Sequence, residues 1–441
     1  MGHMLRKGEA HEPLVWLVSL AAILLIEKPN CLLRLGALGI LQLAYLWTKL
    51  PNANNHMIIL GYVNLSLLTL IAIQLWQNGW KNSGRLVPPV TYIKATFLIG
   101  YLAAAVSKLN SDFFDPDKSC SVSMMYNALA PFGVQNGSLP HSVEAAQPYF
   151  ITSMEFLIPL LLLMTRTRWI GIIVIISFHI GISFSPRSTA LDFCLVLFTI
   201  VYLFLPLSAT EQLYSLAKRF RNWLPFNLSD HKTTIFVLFS FIITMALWSK
   251  KGTVLGNPNW LMLAPMVFAM GLTLILLSIF HRKAFLARTE EIIKTKTYRI
   301  AQIACVVLIV IQLVNISSPY LGGRSQSVFT MYSNLQTEGM TTNHFFLPRL
   351  AIETKQDDLV KVFQSSNSQV QRYSRDGRLM TWHELTRHLS ADPTASIHYE
   401  RNGEAFDHAH AFENPKLVTR YPIAHRFIGH RSYDPRGCCQ W

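Results

Sequence analysis

Charged residues are scarce in this sequence, and long apolar runs take their place. Charged side chains make up 15% and hydrophobic side chains 51% of the 441 residues. An ordinary soluble domain carries about 25% charged residues, so the composition excludes a typical soluble globular protein. The chain is therefore predicted to be a polytopic integral membrane protein.

The sequence motifs of several large enzyme classes are also missing. The chain contains no GxSxG, no HExxH, no P-loop and no CxxC, which excludes the usual serine hydrolases, zinc peptidases, nucleotide hydrolases and dithiol oxidoreductases. No internal repeat is visible, and the two halves of the apolar region do not mirror each other, which disfavours a transporter.

Cysteine is also sparse, and six cysteines are too few to build a disulfide scaffold. Three of them fall in or near apolar runs and are expected to be free thiols: Cys31, Cys194 and Cys305. The other three fall on the side predicted below to face outward, where oxidation can occur. Two alternatives remain open: a disulfide between Cys120 and Cys438 or Cys439, or three free thiols.

What the sequence has in abundance is apolar runs long enough to cross a bilayer, which takes about 17 to 25 residues. Nine transmembrane helices are predicted, at 31–48, 57–76, 90–109, 149–165, 169–185, 189–207, 233–248, 258–280 and 300–317. A tenth run, Leu14 to Ile26, is short and predicts a helix in the membrane interface. The predicted fold class is an all-α polytopic membrane bundle with a small α+β module at the C-terminus.

Three regions follow from these runs: an N-terminal interfacial segment (1–30), a transmembrane catalytic domain (31–318) and a C-terminal module (319–441). In the module, Thr381 and Glu384 fit a capping box that opens a helix. A strand is predicted to end at the Asn402-Gly403 turn. His408 and His410 share a face if this part is a strand, but no third ligand follows at a recognised spacing, so no metal is expected.

The distribution of charge predicts the orientation of the chain. The net charge of +14 lies mainly in the membrane portion, so nucleic acid is not predicted as a partner. Lysine and arginine cluster in alternate loops, which should face the cytoplasm, whereas the 110–148 loop is acidic and should face outward. The N-terminus is then cytoplasmic and the C-terminal module extracytoplasmic.

A few ionisable residues interrupt the apolar runs, and such residues are functional by default. Lys108 ends the 90–109 run, with Tyr101, Ala104 and Ala105 on the same helical face. A lysine that snorkels to the interface is the alternative, and it explains Lys94 at the other end of the same run better.

Two further polar residues lie within predicted spans. Glu155 precedes Pro159, whose ring leaves a backbone carbonyl free to act as an acceptor, and a buried structural ion pair is its alternative interpretation. His179 lies in the middle of the apolar stretch IISFHIGISF. A lone histidine in a helix bundle is more often a hydrogen-bonded packing residue than a catalyst.

His56 closes the stretch PNANNH at the start of a span, beside Asn54 and Asn55. Helix capping accounts for the asparagines but not for the histidine. By topology His56, Lys108 and Glu155 lie near the same membrane face. A lysine acts as a base only when neutral, and apolar surroundings favour the neutral amine. An amine beside donors that stabilise an anion suits proton abstraction from a lipid-soluble substrate.

Three segments resemble the vitamin K-dependent gamma-carboxylase family and its bacterial relatives, the HTTM (horizontally transferred transmembrane) proteins. VSKLNSDFF (106–114) is similar to the family segment VKKLDADW, and NANNHMIILGYVNLSLL (52–68) is similar to WNNHSYLYGLLAFQL. PYLGGRSQSVFTMYSNL (319–335) is similar to a segment that opens with Pro-Tyr and ends in a Tyr-Ser pair. The likeness covers about residues 40 to 350.

The resemblance implies a role for each matching residue. Lys108 would be the base that deprotonates the hydroquinone, and His56 would stabilise an anionic intermediate. The quinone pocket would be lined by Asn54, Asn55, Tyr101, Glu155, His179 and Tyr332. The family's lysine pair is Ser107-Lys108 here, which leaves one candidate base.

The resemblance also implies a reaction and its co-substrates. Reduced vitamin K or menaquinol is oxygenated by dioxygen to the epoxide, and the strong base formed on the way deprotonates a glutamate that then captures carbon dioxide. The vertebrate carboxylase has a much longer lumenal portion that grips its protein substrate. Quinol oxygenation can therefore be retained here while the acceptor differs, or while no glutamate is carboxylated.

The predicted partners are thus a lipid-soluble quinone and a peptide or protein acceptor on the outer face, and the predicted location is a bacterial inner membrane. From another class, the chain could be a non-enzymatic membrane scaffold or a lipid-binding or quinone-binding protein. A third alternative is a new chemistry on a small peptide or metabolite that uses the same base-generating step.

Overall fold

The computed structural model describes residues 13–27, 31–78, 90–183, 190–223, 258–281, 296–350, 355–419 and 427–434. Twelve helices precede the C-terminal module in this part of the chain: α1 Pro13–Glu27, α2 Leu32–Lys49, α3 Asn55–Asn78, α4 Val90–Ser107, α5 Ser111–Phe114, α6 Cys120–Leu129, α7 His141–Leu163, α8 Arg168–Ser183, α9 Ala190–Tyr202, α10 Leu207–Trp223, α11 Pro258–Phe280 and α12 Lys296–Ser317.

Three of the described helices are long and apolar enough to cross a membrane: residues Asn55–Trp76 of α3, all of α4 and all of α7. A fourth span results if α9 and α10, bent by 117° where they meet, are counted as one. The described residues are therefore compatible with membrane integration, but nine spans are not confirmed. The predicted span 233–248 lies outside the described residues.

Two predicted boundaries differ from the observed helices, and a proline lies near each of them. The predicted 189–207 span ends as α9 at Tyr202, since Pro206 has no N–H to continue the helix. Helix α10 then occupies residues predicted to be a basic loop. In the opposite sense, α7 begins at His141 and includes Pro148, which makes it eight residues longer at its start than the predicted 149–165 span.

Helix α4 lies at the centre of the bundle. It packs against α3, α7, α9 and α12, and half of its residues are buried. Gly100 lets a neighbour come close, because a Cβ there would lie 3.0 Å from the Phe329 ring. The buried amide of Gln312 in α12 donates a hydrogen bond to Thr96 O in α4 (2.8 Å). The centre of the bundle is thus closely packed around the helix that ends at Lys108.

The C-terminal module holds a four-stranded antiparallel sheet in the order β2-β1-β3-β4, with β1 Leu359–Ser365, β2 Leu379–Thr381, β3 Ile397–Arg401 and β4 Glu404–His408. Helices α13 Ser368–Arg375 and α14 Trp382–Ala391 complete it. A separate apolar core joins the sheet to both helices and includes Val360, Leu385 and Tyr399. The small α+β character of this module is as predicted.

Of two local predictions in the module, the hairpin turn is confirmed, and the capping box is confirmed only for Thr381. Thr381 caps α14 by accepting a hydrogen bond from the backbone N–H of Glu384 (3.2 Å). The turn between β3 and β4 has φ of 54° at Asn402 and 82° at Gly403, which is typical of a two-residue hairpin. The Glu384 carboxylate, however, accepts from His430 N (3.1 Å) and pairs with Arg387.

Residues 327–335, called the roof segment here, connect the bundle to the module. Ser327 Oγ contacts Pro51 O and Ala53 O at 2.7 Å. Asn334 accepts from Cys120 N (2.7 Å) and donates to Lys118 O (2.9 Å). Cys120 is disulfide-bonded, and its predicted partners, residues 438 and 439, lie outside the described residues. The roof segment is thus fixed at both of its ends.

Candidate functional site

A cavity of ≈ 630 Å³ lies between α4, α6, α7, α8 and the roof segment. Its wall is mostly aliphatic, aromatic and thioether side chains, among them Met124, Met125, Met154 and Met331. Methionine side chains are flexible and polarizable, so they adapt to ligands of irregular shape. Two polar groups of this wall, Asn55 and Lys108, contact the roof segment and mark a polar end of the cavity.

Lys108 is the cation at that polar end of the cavity. It follows the last residue of α4, and 4% of it is exposed. Its Nζ lies 2.8 Å from Glu155 Oε2, and it donates to Ala104 O (3.3 Å) and Met331 O (3.4 Å). The Phe113 ring lies 5.9 Å from the same nitrogen. The amine is therefore held out of bulk water by apolar walls and backbone carbonyls.

The turn that holds Lys108 is fixed by Asn110. The Asn110 side chain accepts from Phe113 N (2.9 Å) and donates to Ser107 O (2.8 Å) and Ser333 O (2.5 Å). It thereby ends α4, caps α5 and binds the roof segment with one buried amide. A residue two positions after the lysine thus sets where the amine can reach.

His344 fixes the same end of α4 from the other side. Its Nε2 donates to Val106 O (3.0 Å), while Nδ1 accepts from Phe346 N (3.1 Å) and Leu347 N (3.0 Å). Burial lowers the pKa of the His344 ring below its ordinary value, which favours the neutral tautomer that these bonds require. Both ring nitrogens thus bind backbone groups, one at the end of α4 and the other at residues 346 and 347.

Glu155 comes to Lys108 from α7. One of its carboxylate oxygens, Oε2, makes the 2.8 Å contact with the ammonium. Among the described residues, Oε2 accepts no further hydrogen bond of good geometry. A buried carboxylate usually satisfies more of its lone pairs, so this oxygen retains capacity for a donor on a ligand.

Tyr101 and His179 form the next layer of the cavity wall. The two rings contact edge to face, with centroids 5.9 Å apart. The Tyr101 hydroxyl is buried and has no hydrogen-bond partner among the described residues. His179 Nδ1 lies 2.9 Å from Ile175 O, so the proton is on Nδ1 and Nε2 carries the lone pair. A donor and an acceptor are thus present in this layer.

Six of the eight residues predicted for the site line this one cavity: Asn55, Tyr101, Lys108, Glu155, His179 and Tyr332. Asn54 and His56 do not line it, although both are described. Successive residues in a helix point about 100° apart, so the turn that directs Asn55 at the cavity directs His56, which is buried, into the protein. The structure therefore does not bring His56 to the site.

Asn55 is the residue of that stretch that can contact a ligand. Its Oδ1 accepts from Phe329 N (3.3 Å), which leaves the amide NH₂ as a donor. Phe329 and Tyr332 line the cavity from the roof segment with φ of 61° and 56°. Such values are uncommon for bulky residues and cost about 1–3 kcal/mol each. Nothing in the sequence predicts that the Met331 carbonyl contacts Lys108, or that Phe329 and Tyr332 have positive φ.

The cavity is closed at the roof and open at its side. Exposed wall residues occur where α7 and α8 face outward: Phe150, Ser177 and Gly181. A Cβ added at Gly181 would meet nothing within 4 Å. The roof segment, in contrast, is held by buried hydrogen bonds to Asn110 and Asn55. A ligand would thus enter from the side, between α7 and α8.

No group of three or more metal-binding side chains occurs among the residues described. Comparison of the chain with protein-family models, with curated proteins and with solved structures finds no match. The cavity geometry and the three similar segments are therefore the basis on which a function can be proposed.

Proposed function

We propose that this protein is a membrane enzyme that binds a reduced quinone, vitamin K hydroquinone or menaquinol, in this cavity and takes a proton from it. The observation that carries the proposal is the buried Lys108–Glu155 pair at the polar end of an otherwise apolar cavity. The reaction resembles that of the vitamin K-dependent gamma-carboxylase family.

The cavity fits such a ligand in size and in chemistry. Its volume of ≈ 630 Å³ lies within the range of about 300–1,000 Å³ found for small-molecule sites. An aromatic ring with two hydroxyl groups could place one hydroxyl against Lys108 Nζ and Glu155 Oε2 and accept with the other from the Tyr101 hydroxyl. Apart from the Lys108 contact, neither Glu155 Oε2 nor the Tyr101 hydroxyl has a hydrogen-bond partner in the described chain. The side opening suits an apolar tail that remains in lipid.

Glu155 supplies a way to make Lys108 neutral without contact with water. A proton that moves across the 2.8 Å contact from Nζ to Oε2 converts the ion pair into a neutral amine and a neutral acid. Low-polarity surroundings stabilise the neutral pair relative to the charged pair. Lys108 Nζ can then accept a hydroxyl proton from the bound ring.

When bound, the reduced quinone supplies oxygen chemistry that no side chain can supply, with dioxygen, and carbon dioxide where carboxylation follows, as co-substrates. The residues of this chain bind and orient the ring and exclude water from it. Asn55 takes over the anion-stabilising role that the resemblance gives to His56, because its amide faces the cavity. A peptide or protein acceptor would approach from the outer face.

The test is turnover by the purified protein in lipid nanodiscs. Reduced vitamin K and dioxygen are added, and the quinone epoxide is measured by mass spectrometry. Lys108→Met should lower the rate about 100-fold or more, as expected for loss of a general base. Lys94→Met is the matched control, since Lys94 lies at the other end of α4, near the Phe204 ring, and the control should keep the wild-type rate.

The same experiment distinguishes the proposed enzyme from the non-enzymatic alternative. A scaffold or quinone-binding protein would bind reduced vitamin K and form no epoxide above the rate in empty nanodiscs. Equal rates in wild type and Lys108→Met would remove Lys108 from the proposed role.

The orientation and the membrane are part of the proposal as well. The chain is placed in a bacterial inner membrane with the N-terminus in the cytoplasm and the C-terminal module outside. A protease added to spheroplasts, whose outer membrane has been opened, should remove a tag placed after the module, and full protection of that tag while the inner membrane is intact would reverse the orientation.

A further inference from the structure

An exposed apolar loop follows the roof segment. Residues 345–350, FFLPRL, are called the aromatic loop here. Phe345, Phe346 and Leu350 are 52%, 74% and 63% exposed. Side chains this apolar are rarely exposed together on a water-soluble surface, where they mark a binding site.

The backbone of the aromatic loop lies at the end of a membrane helix. Phe345 N donates to Leu109 O (2.9 Å), directly after α4, and Leu350 N donates to Tyr320 O (2.8 Å), shortly after α12. Both anchor points lie just beyond apolar helices. The loop is therefore held at the level where the apolar part of the bundle ends.

Ring contacts join the loop to α7. The Phe345 ring lies 5.8 Å from Phe114, and Phe114 lies 4.8 Å from Tyr149. Tyr149 is 61% exposed and begins an exposed stripe along α7 that continues through Ser153, Leu157 and Leu160. These positions repeat every three or four residues, so they share one face of the helix.

That stripe is the surface of α7 that a bilayer would cover. From Tyr149 to Leu160 it runs about 17 Å along the helix axis at 1.5 Å per residue. Tyrosine and tryptophan concentrate at the ends of such surfaces, where lipid headgroups begin, and phenylalanine and leucine insert at the boundary between headgroups and acyl chains. The aromatic loop extends this belt sideways from the end of the stripe.

We propose that the aromatic loop inserts Phe345, Phe346 and Leu350 into the lipid leaflet at the Lys108 end of the bundle and so fixes the C-terminal module to the bilayer. Continuity with the exposed, mostly apolar stripe of α7 favours phospholipid over a protein partner. Because His344 and Phe345 bind the backbone of Val106 and Leu109, the same insertion steadies the turn that carries Lys108.

The test is photocrosslinking of the full chain in phospholipid nanodiscs. A benzoylphenylalanine placed at position 346 should form an adduct with phospholipid, identified on the digested peptide by mass spectrometry. Position 412 is the matched control: Phe412 is also exposed (54%) but lies in the module beyond β4, and it should give no lipid adduct. Position 345 is a second site in case the first variant does not fold, and it should also crosslink to lipid.

A crosslink from position 346 to a second copy of the chain, without lipid adduct, would overturn the proposal, as would equal lipid adducts at 346 and 412. Lipid adducts at 346 or 345 alone would support it. This result does not depend on whether the protein oxygenates a quinone.

Discussion

The Lys108–Glu155 contact predicts a strong energetic coupling between two helices. At 2.8 Å and an effective dielectric constant of about 20, the attraction between unit charges is about 6 kcal/mol. Desolvation of both ions offsets part of this, and removal of one partner from a buried pair costs about 3–5 kcal/mol. The Lys108 side chain is buried (5% exposed), and the Glu155 side chain is mostly buried (14% exposed).

The perturbation is a double-mutant cycle of Lys108→Met, Glu155→Gln and the double variant. Each single variant should lower the free energy of unfolding by about 3 kcal/mol or more, because the remaining charge loses its partner. The double variant should lose less than the sum, with a coupling energy near the upper end of the usual range, about 3 kcal/mol.

The free energy of unfolding is measured by titrating the protein in mild detergent with a denaturing detergent. Lys94→Met serves as the control, since loss of its contact with the Phe204 ring costs about 0.5–2 kcal/mol without coupling to Glu155. Strictly additive effects of Lys108→Met and Glu155→Gln would refute the ion pair as an energetic unit.

Three further predictions concern the side opening of the cavity, the turn that holds Lys108 and the C-terminal module. Gly181→Trp should narrow the side opening and raise the KM for reduced vitamin K about tenfold, equal to about 1.4 kcal/mol, whereas Ser153→Trp on the outer face of α7 should not. Asn110→Ala should lower the free energy of unfolding by about 3 kcal/mol, because buried partners are left unsatisfied. Burial lowers the pKa of His430 to about 3 and that of His388 to about 4, so both rings are neutral in the fold while the unfolded rings take up protons below their ordinary pKa near 6.5. The contribution of the two histidines to the free energy of unfolding should therefore be constant above pH 7. Below pH 6.5 it should decrease by up to about 1.4 kcal/mol per histidine for each pH unit. A melting temperature that does not change between pH 7 and 5 would contradict this.

The existence of the apolar helices could be predicted from composition, because a run of apolar residues is a local property of the sequence. Their ends could not. The predicted 189–207 span continued through Pro206, whereas the chain bends by 117° there. The number of spans depends on how such bent or short helices are counted, which hydropathy alone does not decide.

Lys108 and Glu155 could each be selected because an ion in an apolar run is costly. Their direct contact depends on the relative rotation of α4 and α7, which single residues do not encode. The same rotation argument separates Asn55 from His56: the two are adjacent in sequence, but only Asn55 lines the cavity. The similarity to the family segment applies to the whole stretch and does not distinguish between adjacent residues.

The contribution of the roof segment was the least predictable part of the site. The left-handed backbone at Phe329 and Tyr332 contradicts the usual preference of bulky residues. It is maintained by hydrogen bonds of two residues that are far away in sequence: Asn55 accepts from Phe329 N, and Asn110 donates to Ser333 O. Local sequence rules cannot foresee a conformation that only tertiary contacts stabilise.

The most direct test of the central claim is an experimental structure of the protein in nanodiscs with menaquinone or a vitamin K analogue bound. The account predicts a quinone ring between Tyr101 and the Lys108–Glu155 pair, with one ring oxygen within hydrogen-bond distance of Lys108 Nζ and the tail leaving past Gly181. A ring bound elsewhere, with this cavity filled by ordered lipid tails or by protein side chains, would contradict it.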